Sequence, residues 1–313
     1  MVWSGMVFFT VFTATYNRAY MLGRAYESLQ AQAFRDFEWL IVDDGSSDNT
    51  AELVKAWQSE ASFTIRYFYQ PNSGKHVAFN RGVREAFGEL FLTFDSDDVC
   101  EPNALERFRA RWLEIPDGRR DQFSGITCLC KDEKGRLVGG ALPHDFIDGH
   151  PFAVMSRLWR RAEMWGFHRT EVLRAYPFPE FQGERFVPEG LVWNRIGRRY
   201  KIRFINEALR SVVYLPDGLS ASMVHIRLLS PQATMTYYAE LIELPVRLTY
   251  RLRAAANLWR FALHSGDLVS ALQAGRRHPL LIASGLMPGL LLAFRDARSG
   301  ETKRSASPSL PKA

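Results

Sequence analysis

Within its first hundred residues the chain alternates strand and helix signals, and the strand-like runs end in polar residues. Phe8 to Thr13 is aromatic and β-branched, and the segment after it sets Leu22, Ala25, Tyr26 and Leu29 on one helical face. Phe37 to Val42 is a second apolar run. It ends in Asp43-Asp44-Gly45-Ser46-Ser47, and Leu53, Val54 and Trp57 then mark a helix that Asp48 or Thr50 can cap. Phe63 to Tyr69 alternates as a third strand, Pro71-Asn72-Ser73-Gly74 turns the chain into a helix from His76 to Phe87, and Glu89 to Phe94 is a fourth strand. Strands joined by single helices of this length pair in parallel through right-handed crossovers, which predicts a doubly wound, mostly parallel α/β sheet flanked by helices. Ligands of such sheets sit beyond the carboxyl ends of the strands. The tips Thr15-Tyr16-Asn17, Asp43-Asp44 and Asp95-Ser96-Asp97-Asp98 are therefore expected to converge on one crevice.

After residue 105 the rhythm changes. Ser124 to Cys130 and Arg136 to Gly140 read as a hairpin, Met155 to Ala162 as a helix, and Pro177, Pro179 and Pro188 bracket a loop carrying Glu180, Glu184 and Glu189. A helix from Gly190 to Arg198 and strands at Ile202 to Ile205 and Ser211 to Tyr214 follow; residues 230 to 275 are helical and arginine-rich, and 299 to 313 is a Ser/Pro/Lys tail expected to be disordered. With 313 residues, 47% hydrophobic and 24% charged, the chain can bury a sizeable core in one large domain or two packed ones. The net charge of +6 favours an anionic ligand or surface without choosing between nucleotide, nucleic acid and lipid headgroup. No basic cluster stands beside an aromatic platform, so a nucleic-acid partner is not expected.

The three cysteines, Cys100, Cys128 and Cys130, are too few for a disulfide framework and suit a reducing compartment. Cys128 and Cys130 share one face of a strand; a zinc pair there lacks a second Cys/His pair, so a core role is the stronger reading. Met6 to Thr13 is only of strand length and has no charged segment before it, which argues against a signal peptide and for a cytoplasmic protein. Pro279 to Phe294 is apolar, but interruption by Gly285, Pro288 and Gly289 leaves it short of a spanning helix and suited instead to resting on a membrane or packing on the body.

Asp95-Ser96-Asp97-Asp98 is the sharpest chemical feature. Two carboxylates two residues apart at a strand end can offer hard oxygen ligands to Mg²⁺ or Mn²⁺ while a diphosphate fills the remaining positions; alone, the same tripeptide reads as a solvated turn or helix cap before Pro102. Asp43 and Asp44 can accept from a base N–H or a ribose hydroxyl, or can cap the helix that follows.

In order and spacing, Thr15-Tyr16-Asn17-Arg18, Asp43-Asp44-Gly45-Ser46, Asn72-Ser73-Gly74-Lys75 with Asn80-Arg81-Gly82, and Asp95-Ser96-Asp97-Asp98 resemble the inverting family 2 glycosyltransferases of the GT-A fold, over residues 6 to 215. The resemblance implies a nucleotide-sugar donor, probed at its base by Tyr16 and Asp44 with Thr15, Asn17 and Asp43 nearby. It places Lys75 close to the donor, Asp95 with Ser96 at the ribose, and Asp97 on a Mn²⁺ or Mg²⁺ ion bridging the diphosphate. Ala14 stands where the commoner version of the first turn has proline. Relatives carry their catalytic base in a Glu-Asp pair ahead of a tryptophan-bearing helix; the matching segment here, Val187-Pro188-Glu189-Gly190-Leu191-Val192-Trp193, lacks the aspartate and makes Glu189 the expected base, with Glu184 second.

His225 reads as a third metal ligand or a surface residue. Trp165, Phe167 and His168 read as a sugar platform or core, and Arg157, Arg160 and Arg161 as contacts to an anionic acceptor or a solvated face. The expected organisation is a GT-A domain over residues 1–222, its nucleotide-sugar half in 1–104 and its acceptor half in 105–222, then a helical extension over 223–298 and the tail. The expected activity is transfer of a sugar, from a UDP-sugar by resemblance, to a glycan or lipid-linked acceptor at the inner membrane surface. A nucleotidyltransferase is the alternative enzyme, disfavoured because Thr13 to Arg18 has no glycine. A receiver-like signalling module is the non-enzymatic alternative, disfavoured because it needs no second acidic tip.

Overall fold

The computed structural model of the chain describes residues 7–158, 163–212, 223–274 and 276–299. They fall into two compact units, one within Met1–Pro177 and Arg195–Leu215, the other within Phe178–Asn194 and Pro216–Ala313.

The first unit begins with the expected alternation: β1 (Phe9–Thr15), α1 (Ala19–Gln30), β2 (Phe37–Asp43), α2 (Thr50–Glu60), β3 (Thr64–Tyr69), α3 (Lys75–Glu85) and β4 (Leu90–Thr93). It continues through β5 (Val99–Cys100), α4 (Ala104–Leu113), α5 (Asp117–Arg120), β6 (Phe123–Asp132), β7 (Phe146–Gly149), α6 (Pro151–Leu158), β8 (Met164–Arg169) and α7 (Thr170–Ala175). After α8 (Gly190–Arg199), β9 (Lys201–Val212) completes a nine-stranded sheet of order β3-β2-β1-β4-β8-β6-β9-β5, with β7 also on β9. The pairs of β1 with β2, β2 with β3 and β1 with β4 are all parallel, so their carboxyl ends share one edge. β8 runs antiparallel to both β4 and β6.

β1 and β2 are buried along almost their whole length rather than at alternate positions, as strands of a parallel sheet covered on both faces are. Phe9, Trp39, Phe91, Phe94, Phe108, Trp112 and Phe167 are fully buried, each worth on the order of 2 kcal/mol in transfer free energy. Polar atoms in this core are paired: Thr13 Oγ1 donates to Phe94 O at 2.7 Å and accepts from Trp39 Nε1 at 2.9 Å.

Several expectations beyond residue 105 are corrected. The hairpin at 124–140 shrinks to an isolated bridge between Lys131 and Leu137, because β6 is a central strand whose edges are taken by β8 and β9. The two short strands after residue 200 are one strand, β9, running through a register irregularity against β6. Trp165 and Phe167 are core residues, with Trp165 Nε1 donating to Thr93 O at 2.6 Å, so they offer no sugar platform. Cys100, Cys128 and Cys130 are buried free thiols, and burial pushes all three upward, Cys130 to about 11. Arg160, Arg161, the Leu215 to Gly218 loop and the 300–313 tail lie outside the described residues, as does the side chain of Arg157.

The second unit holds α9 (Met223–Leu228), α10 (Pro231–Ile242), α11 (Leu248–Ser265), α12 (Leu268–Ala274) and α13 (Pro279–Ser299). α13 overturns the expectation of a broken stretch. It runs through Pro288 for 21 residues, and Pro279–Arg298 is long and apolar enough to cross a membrane by length and composition, with a mean hydropathy of 1.5. Pro288 and Ser284 are exposed, so water can take the Ser284 carbonyl that the proline leaves without a donor. The two glycines are contact points rather than breaks: a Cβ on Gly285 would lie 2.6 Å from the Ala255 backbone, and one on Gly289 2.5 Å from Trp259 Cβ. Arg260 pairs with Asp296 across this crossing, and His264 Nε2 lies 3.1 Å from the same carboxylate.

Candidate active site at the strand tips

The common edge of β1, β2 and β4 carries the predicted residues, but the two acidic tips are used differently. Register sets Thr15 opposite Asp43, and Asp44 N donates to Thr15 O at 2.8 Å. Asp43 spends both oxygens locally: Oδ1 accepts from Ser46 N at 2.7 Å and Oδ2 from the Tyr67 hydroxyl at 2.6 Å. Burial and that acceptor push the Tyr67 hydroxyl up. Asp44, 4% exposed, accepts from Gln70 Nε2 at 2.8 Å, Ser73 N at 3.0 Å and Gly74 N at 2.7 Å. These bonds fix the loop entering α3, where Gly74 takes φ +100°, a region open to glycine. Asn17, at φ +53°, ties the first turn to the second: its N–H donates to Ser46 Oγ, and its Oδ1 accepts from Ser47 N, both at 2.8 Å. Thr15 Oγ1 is buried and accepts or donates no hydrogen bond among the described residues, while the Tyr16 side chain is half-buried.

α3 then delivers Lys75 to the other tip, where its Nζ lies 2.8 Å from Asp95 Oδ1. Desolvation pushes the Asp95 carboxyl up, but Lys75 and, behind it, Arg210 outweigh that and hold it below the usual carboxylate range. Asp98 is turned inward, 5% exposed; its Oδ2 accepts from Asp95 N at 3.0 Å and from Arg210 Nη1 at 2.8 Å. Ser96 is buried. Asp97 is half-buried and accepts from no other described side chain. Desolvation and the Asp95 charge push its carboxyl up, against its own backbone N–H and the charges of Arg18 and Lys75. A carboxylate that is half desolvated, beside a like charge and bonded only by its own backbone N–H among the described residues, fits a cation. Among the described residues no group of three His, Cys, Asp or Glu side chains could enclose a metal. A Mg²⁺ or Mn²⁺ ion held by one or two carboxylates, with phosphate oxygens completing the shell, would need no such group.

In the second unit, Glu189 is exposed and opens α8, its carbonyl accepting from Val192 N and Trp193 N. Glu184 is buried and committed: its carboxylate accepts from Gln232 N at 2.7 Å and Ala233 N at 2.9 Å, capping α10. Those two bonds engage both of its carboxylate oxygens at the start of α10. His225 lies in α9 with Nδ1 buried and unpaired among the described residues. Arg18 and Arg210 were not among the expected site residues. Their local sequence gives little warning, although an arginine in an otherwise buried strand, as in Ala208-Leu209-Arg210, is the kind of exception that calls for an acidic partner.

The mostly parallel sheet with acidic tips at one edge is an α/β fold with a candidate ligand crevice beyond its strand ends. Residues 10–125 match the model of glycosyl transferase family 2. Over 98 residues the chain is 41% identical to an uncharacterised glycosyltransferase of a Nostoc species, covering 31% of this chain and 30% of that one. Over 215 residues it is 26% identical to the glycosyltransferase GlyG of Streptococcus pneumoniae, covering 64% and 68%. The matches to the Nostoc, Mycoplasma pneumoniae and Rickettsia felis relatives span 30%, 42% and 23% of their lengths. Staphylococcus aureus TarS residues 1–349, also solved with UDP and with UDP-GlcNAc, superposes with a TM-score of 0.62 at 17% identity, covering 94% of this chain and 92% of that one. The mannosyltransferase PcManGT of Pyrobaculum calidifontis, solved with GDP-Man and Mn²⁺, gives 0.54 at 19% identity, covering 97% and 85%. Residues 10–125 are thus similar to the family 2 glycosyltransferases, and the chain has the GT-A fold. Neither the nucleotidyltransferase nor the receiver-like alternative finds support in these likenesses.

Proposed function

We propose that this chain is an inverting glycosyltransferase that moves a sugar from a nucleotide diphosphate sugar, a UDP-sugar by preference, to an acceptor hydroxyl in cell-surface polysaccharide or glycolipid synthesis. The observation that carries this reading is Asp97, a carboxylate that accepts from no other described side chain, on the same sheet edge as Tyr16 and Asp44. In the proposed reaction Tyr16 and Asp44 receive the base, the latter through the loop it fixes. Asp95 and Ser96 face the ribose, Lys75 sits beside the diphosphate, and Asp97 holds the metal. Bound there, Mn²⁺ or Mg²⁺ would neutralise charge on the departing diphosphate. Inversion needs a base on the acceptor side, and Glu189 is assigned to take the hydroxyl proton. UDP- and GDP-sugar complexes of the structural neighbours support a nucleotide-sugar donor without selecting the base.

The reading extends to peripheral attachment on the inner membrane face. α13 exposes Leu280, Met287, Leu291 and Phe294 at 86%, 64%, 66% and 57% of their surface. Arg276, Arg277, Arg295 and Arg298 flank that face, a composition suited to an anionic lipid surface.

A thermal-shift panel of UDP-, GDP- and dTDP-sugars with and without Mn²⁺ tests the donor half. Metal-dependent stabilisation by one of them, lost in Asp97→Ala, is the expected result, and silence toward every donor would sink the proposal. Glu189→Gln should retain donor binding and lose transfer by about a hundred- to ten-thousandfold; full activity would reassign the base.

A further inference from the structure

We propose that Arg210 is a positioning residue for the donor site, holding the 95–98 turn in the shape that presents Asp95 and Asp97. The inference rests on the proposed donor function. Arg210 enters from β9, more than a hundred residues after the turn, and is 6% exposed. Its Nη1 donates to Asp98 Oδ2 at 2.8 Å, and the same oxygen accepts from Asp95 N at 3.0 Å. Asp98 N returns a bond to Asp95 O at 3.1 Å, closing the turn. The exit of the turn is tied to the same strand, since Cys100 pairs with Arg210, Val99 with Ser211, and Glu101 N donates to Leu209 O at 2.9 Å. Arg210 Nη2 is steadied from the other side by Glu163 Oε1 at 2.9 Å.

Charge points the same way. Three carboxylates crowd into four residues; Lys75 offsets Asp95 at the front and Arg210 offsets Asp98 at the back, leaving the Asp97 charge for a ligand. A buried ion pair is a poor source of net stability, because the desolvation of both ions consumes much of their attraction. What this one secures is geometric: a fixed Asp95 backbone and an inward Asp98, so that the other two carboxylates face outward.

The strand supplies its own control. Arg203, also on β9, is buried and pairs with Asp148 at 2.8 Å, remote in register from the turn. Calorimetric titration of the full chain with UDP plus MnCl₂ should show Arg210→Met weakening binding by about tenfold or more, the scale of one lost charge-assisted contact. Arg210→Lys should recover part of it, and Arg203→Met should bind as the parent does. If Arg210→Met does not fold, the uncharged pair Arg210→Met with Asp98→Asn removes the stranded buried charge and should show the same weakening. Parent-like UDP–Mn²⁺ affinity in a folded Arg210→Met or paired variant, or an equal loss in Arg203→Met, overturns the inference. A parent chain that binds no UDP with Mn²⁺ overturns the donor reading and this inference with it.

Discussion

The two acidic tips lie at one edge of the same sheet and are built from the same residue type, yet one is closed and the other open. Asp43 and Asp44 together accept five hydrogen bonds, one from Ser46 beside them, one from Tyr67 on β3 and three from the loop entering α3. Across β1, Asp95 is matched to a lysine and Asp97 to nothing among the described side chains. A carboxylate at a strand end can build the crevice or face into it, and its donors tell the two apart.

The largest effect should come from the open tip. Asp97→Asn is expected to cut transfer at least about a hundredfold, as loss of a metal ligand would, while leaving thermal stability equal or slightly higher. The sign follows from the raised carboxyl, which costs folding free energy at neutral pH when charged. Steady-state rates and a melting curve on the same sample check both halves; a large stability loss would put Asp97 in the closed class.

The closed tip should behave in reverse. Asp44→Ala strands three donors, two of them buried, and should destabilise the fold by about 3 kcal/mol, read by denaturant unfolding. A stable but inactive variant would break the distinction. A smaller effect is expected of Lys75→Met, because the ion pair it removes is partly exposed on both sides, worth about 1 kcal/mol or less. Asp95 is held low by Lys75, so its contribution is present above the ordinary carboxylate range and lost as pH falls through the depressed value. In Lys75→Met that acid-side dependence should flatten, and a carbon-detected NMR titration of Asp95 would show its midpoint rising. The smallest change should be far from either tip: Leu291→Glu should leave stability within about 0.5 kcal/mol while reducing sedimentation with anionic vesicles, and undiminished sedimentation would remove the lipid assignment.

The parallel half was legible because its local signals agree with its fold: each strand is followed at once by the helix that covers it, and only the ends differ by a residue or two as strands run into their polar tips. β6, β8 and β9 were not, since an apolar run does not name its partner, and their pairings join residues far apart in the chain. Pro288 misled for a different reason, its missing N–H being harmless at an exposed position. At the site, residue types and spacing singled out the 95–98 turn as a candidate, but could not show that Glu184 accepts from the start of α10, or that Arg210 stands behind Asp98.

The antiparallel insertion of β8 bears on how such a fold can be cut and recombined. The stretch that matches the family model stops at residue 125, yet β4 takes its outer neighbour from residues 164–169 and Asp98 takes its counter-charge from residue 210. A fragment ending with the match would leave one strand edge bare and one acid without its partner in the interior. The recognisable segment is thus a signature rather than a module, and an exchange between relatives would need to carry the end of β9 along with the aspartates it serves.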